Sequence, residues 1–256
     1  MNERWAVAGA GLGLLSGLIA FAPAAWLAAA VASGTSAQVQ LADPRGTVWR
    51  GNAQLVLAGG QGSQDALALP DRLEWQLAPT FDGLLLRLEA VCCIPRPMEL
   101  TLKPAWRGFE LLVANGSSEW PAALLAGLGA PWNTVQLRGL LQFHSENLSV
   151  EWVAGRASMT GVARLDALGM STSLSTLRPI GSYRLSLTGG ANRAAPVLQL
   201  QTLEGELSLS GNGLWTGSHW SFKGEASAAP ERESVLGNLL NMVGRRQGPR
   251  SVISLG

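Results

Sequence analysis

The chain has few of the side chains on which enzymatic and metal chemistry usually depends. Among its 256 residues are two histidines, two cysteines and one tyrosine, and only 14% of the residues are charged. Neither His144 nor His219 has a Cys, Asp or Glu at metal-ligand spacing. Nucleophile-elbow, zinc-protease and phosphate-loop motifs are missing as well. We therefore expect no enzymatic activity, no metal and no cofactor.

The charge is nearly balanced and scattered along the chain. There are 19 basic and 18 acidic side chains, which gives a formal net charge of +1. No run of basic residues marks a nucleic-acid-binding surface, so we expect no nucleic-acid partner.

The N-terminal segment is the one long apolar run. Residues 5–32 contain no charged side chain, and a helix of that length would reach about 42 Å, more than the bilayer core of about 30 Å. We predict a cytoplasmic N-terminus over 1–4, a transmembrane anchor over 5–32, a linker over 33–37 and a periplasmic β domain over 38–256. The alternative is a cleaved signal peptide ending at Ala30-Val31-Ala32, but the apolar run is long for one.

Three glycines spaced by four residues give the predicted anchor one smooth face. They are Gly9, Gly13 and Gly17. Small residues at this spacing allow lipid-embedded helices to approach each other closely. The face is a candidate helix-packing surface, and chance spacing in a Gly- and Ala-rich segment is the alternative.

The rest of the chain alternates between apolar and polar residues in many short segments. Examples are Leu73-Glu-Trp75-Gln-Leu77 and Leu148-Ser-Val150-Glu-Trp152. A period of two over so many segments predicts an antiparallel sheet with one apolar face. Glycine-rich turn signals, among them Asp43–Gly46 and Gly211–Gly213, separate the segments. The fold class is therefore mainly β, a curled meander that is barrel-like or half-open.

Two segments with helical spacing interrupt the strands. The first begins near Ser118 as N-cap and carries apolar residues up to Leu128. The second runs from about Glu231 to Val243 and carries an apolar stripe. We expect the second helix to cover the sheet of its own chain, and docking on a partner protein is the alternative.

Several residues are candidates for interactions or redox chemistry. Tryptophans near turns mark a candidate interface, and so do two arginines that follow the second helix. Adjacent cysteines lie closer than ordinary disulfide geometry requires, so packing of one thiol under the sheet is the default and redox switching is the alternative. The residues are Trp49, Trp132, Trp215, Arg245 and Arg246 for interactions, and Cys92 and Cys93 for redox chemistry.

Motifs along the whole chain resemble one family. They include residues 41–51 (LADPRGTVWRG), Trp120-Pro-Ala122, 129–134 (GAPWNT), 174–183 and 230–246. In order and spacing these segments resemble protein N of the bacterial type II (general) secretion pathway. The resemblance implies a single-pass inner-membrane protein with a periplasmic β domain and no enzymatic activity.

We consider two functional hypotheses, the first from the resemblance and the second from the apolar face of the predicted sheet. In the first, the protein is an accessory scaffold that contacts other type II secretion components and the inner-membrane lipid. In the second, the curled sheet has an open apolar groove that binds lipid. What fills the concave face of the sheet distinguishes the two hypotheses.

Overall fold

The computed structural model describes residues 2–190, 195–216 and 219–255, and most of the chain after residue 38 is β-strand. The α-helices are α1 (Asn2–Ala20), α2 (Ala24–Gly34), α3 (Trp132–Val135) and α4 (Glu233–Val243), with 3-10 helices at Ala122–Leu128 and Pro230–Arg232. The strands are β1 (Val39–Gly46), β2 (Arg50–Ala58), β3 (Ala66–Thr80), β4 (Gly83–Ala90), β5 (Ile94–Ala105), β6 (Gly108–Val113), β7 (Gly116–Pro121), β8 (Arg138–Val153), β9 (Arg156–Ser171), β10 (Gly181–Thr188), β11 (Val197–Gly205), β12 (Leu207–Trp215), β13 (Trp220–Ala228), β14 (Arg245–Gln247) and β15 (Arg250–Leu255).

The strands form one antiparallel sheet in which almost every strand pairs with its neighbour in the sequence. The order is β1-β2-β3-β4-β5-β6-β8-β9-β10-β11-β12-β13-β15-β14. β7 continues the direction of β6 and pairs with the first half of β8, while β6 pairs with its second half. Within the described residues β1 and β14 are unpaired edges, so the sheet is not closed. The prediction of a meander is confirmed in its half-open form.

Alternation along the strands gives the sheet an apolar inner face. In β3, Leu73 and Trp75 are buried while Glu74 and Gln76 between them are exposed. The pairing register carries this face across the sheet, because Trp75 lies opposite Leu88 and residues opposite each other in a ladder point to the same side.

The N-terminal apolar segment forms two helices and not one. The break lies at residues 21–23, where Pro23 is extended, with φ −64° and ψ 145°, and precedes the first turn of α2. Within a helix a proline ring removes a backbone donor and clashes with the preceding turn, which favours a break at this point. α2 then packs on the sheet through Leu27, Ala28 and Val31. The prediction of one continuous helix over 5–32 is therefore wrong.

Two clusters of buried side chains form the core. The first lies under α2 and the 3-10 helix Ala122–Leu128, and the second lies between β10, β12, β13 and α4. The buried members of the first are Ala24, Leu41, Ala53, Leu69, Leu73, Trp75, Ala90, Cys93 and Ile94. Those of the second are Ala122, Met170, Ile180, Tyr183, Leu207, Ala226, Leu236, Leu239 and Leu240.

The helices within the β domain only partly match the predictions. The second one is confirmed, since α4 buries Leu236, Leu239 and Leu240 as the apolar stripe indicates. The first is a 3-10 helix that begins at Ala122, and α3 follows it. Ser118 is not its N-cap, because it is buried inside β7, where its hydroxyl accepts a hydrogen bond from the Trp120 indole at 2.8 Å.

Two predicted turns are wrong. Asp43–Gly46 belongs to β1, where the pairing register shifts between Ala42 and Arg45, so the segment is a β-bulge. Gly211–Gly213 lies in the middle of β12. A Cβ atom at Gly211 would overlap the Phe222 ring of the neighbouring strand. These glycines therefore make room for a ring and do not reverse the chain.

Candidate functional site: the hairpin end of the sheet

Tight turns of alternate hairpins lie along one end of the sheet, which we call the hairpin end. Because neighbouring strands run antiparallel, this end carries residues 47–49, 81–82, 106–107 and 154–155 in that order. Adjacent turns contact each other, since the Ala154 N–H donates to the Arg107 carbonyl at 3.2 Å. The opposite end, which we call the loop end, carries the longer connections, including 59–65, 122–137 and 172–180.

The two N-terminal helices join the body at the hairpin end. The Trp49 indole N–H donates to the Ile19 carbonyl at the end of α1, at 2.7 Å. The Val48 N–H donates to the Ala22 carbonyl at 2.8 Å. The β1–β2 turn therefore fixes the point at which α1 leaves the body, and Trp49 has a defined structural role there.

The side chains of α1 that the structure describes are largely uncovered. Leu14 is 70% exposed and Phe21, just after the helix, is 79% exposed. A Cβ atom at Gly9, Gly13 or Gly17 would meet no atom within 4 Å, so none of the described residues covers this face. Its role in helix packing stays a prediction. Among the described residues, no helix has both the length and the apolar character needed to cross a membrane.

Two aromatic rings project from the hairpin end into solvent. Phe81, at the β3–β4 turn, is 111% exposed on the relative scale, and Trp106, at the β5–β6 turn, is 89% exposed. Neither ring is among the residues predicted from the sequence. A signal was present, since each turn has the order aromatic, charged, glycine, as Phe81-Asp-Gly83 and Trp106-Arg-Gly108.

The inner face of the sheet stays partly open near the hairpin end. The buried core clusters include α2, α4 and the 3-10 helix, but the cross-strand pair Phe109 and Trp152 remains 43% and 42% exposed. Leu102, opposite Leu111 in the ladder, is 40% exposed. An apolar surface therefore continues from the tips onto the inner face.

Exposed charges at the hairpin end are mainly positive. Three exposed arginines lie at the turns, namely Arg50, Arg107 and Arg156. The negative charge there comes from the exposed Asp82. A polar cleft of about 370 Å³ lies nearby, lined by both basic and acidic side chains. Its charged members are Arg45, Arg50, Arg87, Glu74 and Glu89.

An ion pair fixes the outer face between β9 and β10. The Arg184 guanidinium donates to both carboxylate oxygens of Asp166, each at 2.7 Å. These hydrogen bonds hold the pKa of Asp166 below its ordinary value, against the opposing effect of burial. At the bulge in β1, hydrogen bonding from Arg45 similarly lowers the pKa of the exposed Asp43 carboxyl.

The other predicted interaction residues are spread over both ends of the sheet. Trp215 lies at the hairpin end and stacks edge-to-face on Trp220, with ring centroids 5.4 Å apart. Trp132 begins α3 at the loop end and is 39% exposed. Arg245 is exposed on the edge strand β14, whereas Arg246 pairs with Glu233 of α4. The structure therefore does not bring these residues into one site.

The adjacent cysteines form a disulfide with each other at the β4–β5 turn. The prediction of a free thiol packed under the sheet is therefore wrong, although Cys93 itself is buried in the first core cluster. Cys92 is exposed. The Cys93 carbonyl accepts a hydrogen bond from the Glu119 N–H at 2.7 Å, which ties the turn to β7. A redox role for the pair stays a prediction.

Within the described residues, no group of three or more His, Cys, Asp or Glu side chains is arranged to hold a metal ion. His144 lies on β8 opposite Ser117 of β7. His219 interacts with Thr216 across the β12–β13 turn.

Comparison with known proteins identifies a family. No curated protein and no solved structure matches the chain. The family described as type II secretion system (T2SS), protein N matches residues 37–253, from just before β1 into β15. This range contains almost the entire sheet, α3 and α4, so the chain belongs to the protein N family of the type II secretion system.

Proposed function

We propose that the protein is a non-enzymatic accessory component of type II secretion, held at the inner membrane by its N-terminal segment. Its β domain would lie in the periplasm and act as an interaction module for other secretion components. Family membership supports the secretion role. The uncovered leucines of α1 support membrane attachment, because a row of apolar side chains in water favours transfer into lipid.

The observation that carries the interaction role is the open sheet with its unpaired edges. An edge strand presents free backbone donors and acceptors on which another chain can add a strand. β14 is such an edge, and its Arg245 and Gln247 are exposed. At the same loop end Val91 is 94% exposed, and Trp132 is partly exposed. Partner binding at the loop end would leave the hairpin end, where α1 joins, free to face the membrane.

Photo-crosslinking in intact cells tests this proposal. A photoreactive residue at Trp132 or Gln247 is expected to give adducts with another secretion component. The control is Leu214, which is 54% exposed on the outer face of β12. Adducts from Leu214 as abundant as those from Trp132 and Gln247, or adducts only between copies of this chain, would contradict the proposal.

Lipid binding in a groove is the second candidate function. The partly exposed inner-face residues Leu102, Phe109 and Trp152 favour it, because they form an apolar surface that no helix buries. If the groove holds lipid, native mass spectrometry of the purified protein will detect about one phospholipid per chain. Exchange of Leu102 for Glu should abolish that adduct, and lipid-free protein would exclude this function.

A further inference from the structure

Phe81 and Trp106 are exposed without any internal structural reason. By contrast, Trp75 is 2% exposed and belongs to the first core cluster. Phe81 and Trp106 instead lie at the turns of the β3–β4 and β5–β6 hairpins. There the two rings are free to contact a surface outside the chain. Aromatic rings in this setting are typical of contacts in which one side is apolar and the other is wet.

Both hairpin tips are tightly fixed by the glycines that follow the rings. A Cβ atom at Gly83 would overlap the backbone of Leu102, and one at Gly108 would overlap the backbone of Trp152. The residues that follow the rings therefore lie close against neighbouring strands. A preformed tip loses little conformational entropy when it binds.

The two hairpin tips lie at the same end of the sheet. The β3–β4 and β5–β6 turns are separated by two strand spacings, or roughly 10 Å. Arg107, which follows Trp106, is exposed. Arg156 is also exposed and is the first residue of β9, at the neighbouring β8–β9 turn. The two rings are flanked by more positive than negative charge. This combination is complementary to a surface with an anionic outer layer and an apolar layer beneath it.

The position of α1 identifies that surface. The Trp49 carbonyl accepts a hydrogen bond from the Leu77 N–H at 2.7 Å, so the α1 junction is tied to β3, the strand that ends at Phe81. The apolar, uncovered helix thus leaves the body at the end that carries the exposed rings. Lipid around α1 would lie next to the tips.

We infer that the hairpin end is a second lipid-contact site, at which Phe81 and Trp106 insert among the headgroups of an anionic phospholipid bilayer. Arg107 and Arg156 bind the phosphates beside them. This inference rests on the proposed attachment at the membrane and adds an orientation to it. The hairpin end faces the bilayer, and the loop end with β14 faces away.

Site-specific fluorescence on the full-length chain tests this inference. Cys92 and Cys93 are joined in a disulfide and the protein has no free cysteine, so one added cysteine can be labelled under non-reducing conditions. Labels that report apolar surroundings are placed at Phe81→Cys and Trp106→Cys. The matched control is Gln61→Cys, at an exposed turn of the loop end.

Each labelled protein is reconstituted into phosphatidylethanolamine–phosphatidylglycerol vesicles that contain a nitroxide quencher near the headgroups. We expect the quencher to reduce the fluorescence of the Phe81 and Trp106 labels at least threefold more than that of the Gln61 label. Adding Arg107→Glu with Arg156→Glu should weaken this quenching, and so should zwitterionic vesicles.

The outcomes separate this inference from the proposed function. If the protein floats with the vesicles but the tip labels are quenched no more than the Gln61 label, membrane attachment stands and the inference is wrong. If the protein does not float with the vesicles, both are wrong. Unquenched tip labels, together with disulfide-linked dimers formed by the unlabelled Phe81→Cys or Trp106→Cys protein, would assign the tips to a second copy of the protein and would also overturn the inference.

Discussion

Replacing Leu240 by alanine is expected to lower the free energy of unfolding by about 3 kcal/mol, because large-to-small changes at fully buried leucines cost about 2–5 kcal/mol. Leu240 of α4 is 0% exposed and lies in the second core cluster with Leu207 and Ala226 of the sheet. Loss of its side chain leaves a cavity between helix and sheet that close-packed neighbours fill only in part.

Met242, two residues along the same helix, is the matched control. It is 45% exposed, so Met242→Ala should cost less than about 1 kcal/mol. Urea unfolding of the detergent-solubilised full chain, followed by circular dichroism, measures both. Equal losses for the two variants would mean that α4 does not cover the sheet as the structure describes.

The second large effect is expected at the ion pair on the outer face. Asp166→Asn should destabilise the fold by about 3 kcal/mol at pH 7, since removing one partner of a buried pair leaves the other charge uncompensated. The Asp166 side chain is 8% exposed, and Arg184 keeps 31% exposure, which places the expected loss at the low end for such pairs.

This effect should depend on pH in a defined direction. The folded pKa of Asp166 lies below the value of about 3.9 for an unfolded aspartate. The pair therefore contributes its full stability above pH 4, and this contribution is lost as the pH falls through the folded pKa. We expect the difference in unfolding free energy between wild type and variant to shrink below pH 4.

Asp43 provides the control for burial. Its carboxylate also binds two arginines, Arg45 and Arg72, but it is 60% exposed. Solvent screens exposed ion pairs, so Asp43→Asn should have a small effect on stability at any pH. If Asp43→Asn lowered the free energy of unfolding as much as Asp166→Asn, burial would not be the cause of the larger loss expected for Asp166→Asn.

The strands were predictable from the sequence because a half-buried sheet imposes a period of two. Leu73, Trp75 and Leu77 lie in one strand as the alternation indicates, and α4 follows its apolar stripe. The order of the strands also follows from short connections, since sequential antiparallel strands pair most readily.

The N-terminal segment shows why other parts of the fold could not be predicted from the local sequence. Apolar side chains such as Leu27 and Val31 are equally suited to lipid and to the face of a sheet, and only the tertiary structure places them against the sheet. Pro23 marked the break, but its effect depends on whether neighbouring groups satisfy the freed backbone. Here Thr47 supplies a bridge to Pro23.

Glycine positions were misread for a similar reason. Glycine serves both where a chain reverses and where a neighbouring atom needs the space of a Cβ, and the sequence does not distinguish the two. Gly211 is of the second kind. The exposure of Phe81 and Trp106 was also hidden, because an aromatic beside a turn is equally compatible with a ring folded into the core.

The order of pairing in the sheet has a consequence for how the protein folds. Apart from the detour around β7 and the return of β15 to β13, each strand finds its partner in the adjacent segment of chain. Short sequence separation between partners speeds folding. Because synthesis runs from the N-terminus, the N-terminal hairpins are available first, and each later strand has its partner within a few tens of residues and can extend the growing edge. α4 lies near the C-terminus and packs on β13 and on β14 and β15, which follow it in the sequence, so this helix is then among the last parts to dock.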